Sequence, residues 1–130
     1  MSRREFQEAY VETALWSSTD ASDDGDGAPL DKNYSRSDIA PDTMRKMMAD
    51  CDKFYDKMSD VIDRGCEKDR KGNCSDGRAG HDFWLTRNGH GAGFWDGDWP
   101  EPEAAELTRE SKRFGEYDLY VGDDGKIHGT

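Results

Sequence analysis

The chain has 130 residues, 33% of them hydrophobic and 36% charged, with a formal net charge of −11 and a sequence pI of about 4.6. That length fits one domain with a modest core. The charge argues against a nucleic-acid backbone or an anionic membrane as a direct partner and favours a basic protein surface.

Hydrophobic content this low approaches the disordered regime, and the four Trp, five Tyr and five Phe supply the core that aliphatic residues lack. The opening MSRREFQEAY has no apolar signal core, and no apolar run approaches the roughly 20 residues that span a bilayer. Three unevenly spaced cysteines add no disulfide framework. The expectation is a soluble cytosolic protein with reduced thiols. Charge is uneven along the chain, with net −6 over residues 1–43, +1 over 44–80 and −6 over 81–130.

In chain order, residues 3–16 place Phe6, Tyr10 and Ala14, with Val11 and Leu15, on one helical face and Glu5, Glu8 and Glu12 on another. Residues 17–37 read as a long Ser/Asp/Gly loop. Residues 41–65 carry an apolar stripe from Met44 through Met47, Cys51, Phe54 and Met58 to Ile62. Asp38 is the expected N-cap, Pro41 suits the first turn, and Gly65 is read as the stop. The opposite face holds Asp52, Asp56, Asp60 and Asp63. Residues 66–80 form a second polar loop. DFWLTR and AGFW around NGHG predict a β-hairpin over about 82–95; a two-residue Asn88-Gly89 turn puts Trp84 opposite Gly93, and a four-residue NGHG loop shifts that register by one position on each strand. A helix follows over about 102–114, with Glu103, Glu106 and Glu110 along it and Gly115 at its end. YDLYVG and KIHG around DDG predict a second hairpin over about 117–128. The predicted fold is a single α+β domain, a small antiparallel sheet packed against helices.

Motifs with chemistry are sparse. Cys66, Cys74, His81 and His90 lack the CxxC-type pair that organises structural zinc. A Cys66 or Cys74 nucleophile beside His81 has no strand-to-helix turn and no oxyanion loop around it. GHGAG lacks the lysine and the helix that phosphate loops need. Asp20, Ser22, Asp24, Gly25 and Asp31 occupy EF-hand positions 1, 3, 5, 6 and 12, which makes a calcium-stabilised module over 20–31 an alternative. A small enzyme using the glycine-rich hairpin is another. The rings Phe83, Trp84, Phe94 and Trp95 are expected in the core, leaving Arg87–His90 and Asp96–Trp99 as the exposed ends of this run.

The blocks YVETALWSSTD, PLDKNYSRSDIAP, the DC of MMADCDKF, AGHDFWLTRNGHGAGFWDGDWP and LTRESKRFGEYDLYVGDDGKI resemble a family of small acidic accessory proteins of phages, prophages and plasmids. The resemblance implies no catalytic residue. By analogy with small acidic phage proteins, it implies an anti-CRISPR, anti-restriction or uracil-glycosylase-inhibitor type of role. The expectation is a non-enzymatic protein without cofactor or metal, inhibiting a basic nucleic-acid-binding host protein by DNA-like charge mimicry. Glu5, Glu8, Glu12, Asp52, Asp56, Asp60, Asp63, Glu103, Glu106 and Glu110 are its expected contact residues.

Overall fold

The computed structural model describes residues 2–21, 27–69, 72 and 74–130. Helix α1 spans Arg3–Ser17, started by the Ser2 hydroxyl, which accepts from the Glu5 N–H at 3.0 Å. It buries Phe6, Tyr10, Val11, Ala14 and Leu15, the stripe predicted for it. Single 3₁₀ turns follow at Leu30–Lys32 and Arg36–Asp38. Helix α2 runs Pro41–Lys68 and buries Met47, Cys51, Phe54, Met58 and Ile62.

Both predicted ends of α2 need correction. Asp38 is not its N-cap: the Asp38 carboxylate accepts from the Ser35 N–H at 2.8 Å inside the preceding turn. Ala40 holds the cap position instead, anchored by its N–H to the Ile127 carbonyl at 2.8 Å. Gly65 does not stop the helix either. It is buried, and a Cβ there would lie 2.9 Å from Trp99 Cε3, so the missing side chain makes a seat for the indole.

The hairpin predicted over 82–95 is absent. Residues Asp76–Arg87 form helix α3, capped by the Ser75 hydroxyl accepting from the Arg78 N–H at 3.0 Å. From Asp82 through Arg87 every residue is buried. A helix covered on all sides leaves no polar stripe, so neither period could be read from the sequence. The Asn88-Gly89 pair is the C-terminus of α3 and not a β-turn. Gly89 sits at φ +69°, and the His90 N–H closes onto the Leu85 carbonyl at 3.0 Å. Trp84 therefore does not face Gly93. The latter, at φ +153°, lies against Thr86, whose hydroxyl accepts from the Phe94 N–H at 3.1 Å.

Helix α3 is the centre of the molecule. Phe83 stacks on Phe54 with centroids 4.2 Å apart, and Phe6, Phe94 and Phe114 surround that pair. Each fully buried ring contributes roughly 1.5–3 kcal/mol relative to exposure. At Gly80 α3 approaches α1 so closely that any Cβ would overlap the Phe6 carbonyl oxygen. Helix α4, Glu103–Arg113, packs on α2 and α3 through Ala104, Leu107 and Ser111. Strands β1, Leu119–Val121, and β2, Ile127–Gly129, form an antiparallel pair with Tyr120 opposite His128. The α+β class holds, with four α-helices and one two-stranded sheet among the described residues. No described helix is long and apolar enough to cross a membrane.

Candidate functional site: the carboxylate ridge of helix α2

Helix α2 carries two parallel charged stripes. Lys57, Arg64 and Lys68 form one. Asp52, Asp56, Asp60 and Asp63 form the other, and Glu67, four residues beyond Asp63, extends it by a turn. Packing treats the two stripes differently. The basic stripe faces α4, where Lys57 Nζ pairs with Glu110 Oε1 at 3.0 Å and Lys68 Nζ with Glu103 Oε1 at 2.8 Å. Arg64 reaches Glu106 at 3.4 Å and Glu103 at 3.7 Å. The three glutamates expected to form a third contact ridge are therefore consumed inside the α2–α4 seam. Glu103 is only 2% exposed, and the Lys68 ammonium lowers its carboxyl pKa below the ordinary value, against the opposing push of burial.

The acidic stripe faces outward. Its first turn is compensated: Arg3 pairs with both Asp52 and Asp56, and Gln7 donates to Asp52 at 2.9 Å. Further along, Asp60, Asp63 and Glu67 make no ion pair among the described residues. Burial raises the Asp63 carboxyl above its ordinary value, and Asp76, Asp60 and Glu67 push it the same way. Asp76 is held by the Ser2 N–H at 2.6 Å and the Tyr55 hydroxyl at 3.3 Å. On α1, Glu5, Glu8 and Glu12 are exposed as expected. Glu8 accepts from Arg4 at 3.0 Å, and Glu8 and Glu12 border a groove beside Tyr34 and Arg36.

The other candidates do not converge. Burial raises the Cys66 and Cys74 thiols, and Cys51 is fully buried. His81 and His90 do not share a cleft. The Nδ1 of His81 lies 2.9 Å from Asp82 Oδ1, while His90 lines a shallow pocket with Trp84, Asn88 and Asp118. Asp82 is fully buried and takes a 2.7 Å hydrogen bond from Trp99 Nε1. Burial raises its carboxyl, opposed by the hydrogen bonds from His81 and Trp99 and by Arg78. No group of three or more His, Cys, Asp or Glu poised for a metal occurs among the described residues. In the EF-hand alternative, positions Ser22, Asp24 and Gly25 lie outside the described residues. Asp20 is buried, with its N–H on the Ala28 carbonyl at 2.7 Å, and Asp31 sits in a single 3₁₀ turn rather than at the head of a helix.

The expected exposed ends of the aromatic run are also redistributed. Arg87 and Trp99 are buried, and Asp98 pairs with Arg78 at 2.5 Å. Trp95, expected in the core, is 52% exposed. The signal missed in the sequence was Glu67, which continues the spacing of the ridge. The chain matches no protein-family model, no curated protein and no solved structure.

Proposed function

We propose that this chain is a non-enzymatic acidic protein that binds a basic nucleic-acid-binding surface of a partner protein and occludes it by charge mimicry. One observation carries the reading: the sorting of charge on α2, where α4 consumes the cations and the ridge through Asp60, Asp63 and Glu67 is left outward. Successive carboxylates four residues apart rise about 6 Å along the helix axis, a spacing comparable with that of phosphates on a strand. The carboxylates are fixed on a 28-residue helix packed into the core, so little ordering cost attaches to presenting them. Exposed Glu5, Glu8 and Glu12 on α1 add to the field that steers a basic partner. Glu103, Glu106 and Glu110 are outside this interface. The resemblance of the sequence blocks to accessory proteins of phages, prophages and plasmids supports a bacterial DNA- or RNA-handling partner, with inhibition as the outcome.

The test is a bacterial lysate passed over the immobilised chain and over an Asp60→Asn, Asp63→Asn, Glu67→Gln variant. Nucleic-acid-binding proteins retained by the parent, released by salt, competed by duplex DNA and lost on the variant support the reading. Retention that is indifferent to salt and to the three substitutions overturns it.

A further inference from the structure

The outer side of α4 carries a feature that the acidic ridge does not use. The chain from Trp95 to Glu101 folds over that side and leaves a groove of about 580 Å³, within the size range of small-molecule sites. Its apolar walls include the indoles of Trp95 and Trp99 and the methyl group of Ala105. Trp95 is 52% exposed, the largest exposure of any big apolar side chain described. Such a ring at a concave surface is uncovered binding area.

Charge sets the class of occupant. Arg109 and Lys112 stand at the same groove, three residues apart on α4, and neither makes an ion pair among the described residues. Cations around them are spent: Arg113 and Lys57 on Glu110, Arg64 and Lys68 on Glu103. In a chain of net charge −11, leaving two cations unpaired beside two indoles is a local reversal of sign. The one carboxylate on the rim, Glu101, is occupied in accepting from the Ala105 N–H at 2.9 Å. An oxygen-bearing anion answers both cations at once, because it accepts from guanidinium and ammonium.

The geometry points to this groove as a binding site for a small aromatic anion, its ring system against Trp95 and its carboxylate, sulfonate or phosphate between Arg109 and Lys112. The site is independent of the carboxylate ridge. Helix α4 turns Glu103, Glu106 and Glu110 to α2 and this face away from it, and the cations here would repel a basic partner.

The probe is 8-anilinonaphthalene-1-sulfonate, with uncharged N-phenyl-1-naphthylamine as its counterpart, titrated into the full folded chain. The sulfonate is expected to saturate one site per chain and to quench tryptophan emission. Arg109→Gln with Lys112→Gln weakens the sulfonate roughly tenfold or more and leaves the neutral dye nearly unchanged. Trp95→Ala weakens both dyes. All three positions are exposed, so circular dichroism identical to the parent confirms that the variants fold. Unsaturable binding, equal loss of both dyes in the charge variant, or full binding by Trp95→Ala overturns the proposal. So does dye release on raising the protein concentration, which would mean that a second copy covers the groove.

Discussion

Arg87 Nη1 lies 2.9 Å from Asp50 Oδ2, and the two side chains are 1% and 3% exposed. Each is held by more than the other. Arg87 also donates to the Tyr10 hydroxyl at 2.9 Å and to the carbonyls of Gly115 and Phe114, while Lys46 reaches the second Asp50 oxygen at 2.9 Å. The guanidinium lies over the rings of Phe83, Phe114 and Tyr117. One side chain thus ties α3 to α1, to α2 and to the segment after α4.

Removing one partner of such a pair leaves the other charge buried and uncompensated, at a cost of about 3–5 kcal/mol. Arg87→Met is expected to lower the unfolding free energy from urea titration by that amount, through a lower midpoint at unchanged slope. Arg87→Lys is expected to fail as a rescue, because an ammonium cannot span Asp50 and the two carbonyls as the planar fork does. A variant within 1 kcal/mol of the parent would show that Lys46 alone satisfies Asp50.

Arg87 also shows what the sequence could and could not tell. Helices α1 and α2 were legible because each has one wet face: Glu5, Glu8 and Glu12 behind Phe6 and Tyr10, and Asp56 and Asp60 behind Phe54 and Met58. The C-terminal hairpin was legible from its turn, with Gly125 at φ +77°. Helix α3 was not, because its centre is dry on every side and its one charge at the C-terminus is internal. An arginine beside Asn-Gly reads as a surface residue, and only tertiary contacts from α1, α2 and the segment after α4 make it a core residue. The same holds for the ridge. Its spacing was visible in the sequence, whereas the loss of Glu103, Glu106 and Glu110 to α2 depends on how two distant helices meet.

Gly65 gives a test with opposite signs for the two readings. In an ordinary helix interior, Gly→Ala stabilises by about 0.5–1 kcal/mol. Here the new methyl would press on Trp99, which is buried and fixed through its Nε1 to Asp82. Gly65→Ala is expected to destabilise, with a change in tryptophan emission as the ring is displaced. Stabilisation with unaltered emission would show that the seat is loose.

The α2–α4 seam makes stability depend on acid. The Glu103 carboxyl is lowered chiefly by its hydrogen bond from Lys68. A depressed folded value means that the contribution is complete above the unfolded value, about 4.3, and is lost as pH falls through the folded one. Glu103→Gln is therefore expected to be less stable than the parent at pH 7, with the gap closing in strong acid. Urea unfolding of both chains across this range measures it. A gap that is constant with pH would assign the effect to packing instead of charge.

Asp63 titrates with the opposite sign, and that separates function from stability. Burial and the neighbouring Asp76, Asp60 and Glu67 raise its carboxyl, so ionisation costs more in the folded chain than in the unfolded one. The stability that this group permits is complete below the unfolded value, about 3.9, and is lost as pH rises through the folded value. Asp63→Asn should therefore raise the melting temperature at pH 7 and leave it nearly unchanged near pH 3. A residue whose only role is solubility would gain by this exchange with nothing lost. If the ridge is a binding surface, the same substitution weakens retention of the basic partner and flattens its salt dependence, because one charge fewer is neutralised on binding. Higher melting temperature with weaker binding is the outcome that the ridge predicts. Higher melting temperature with undiminished binding would move the contact to the exposed glutamates of α1.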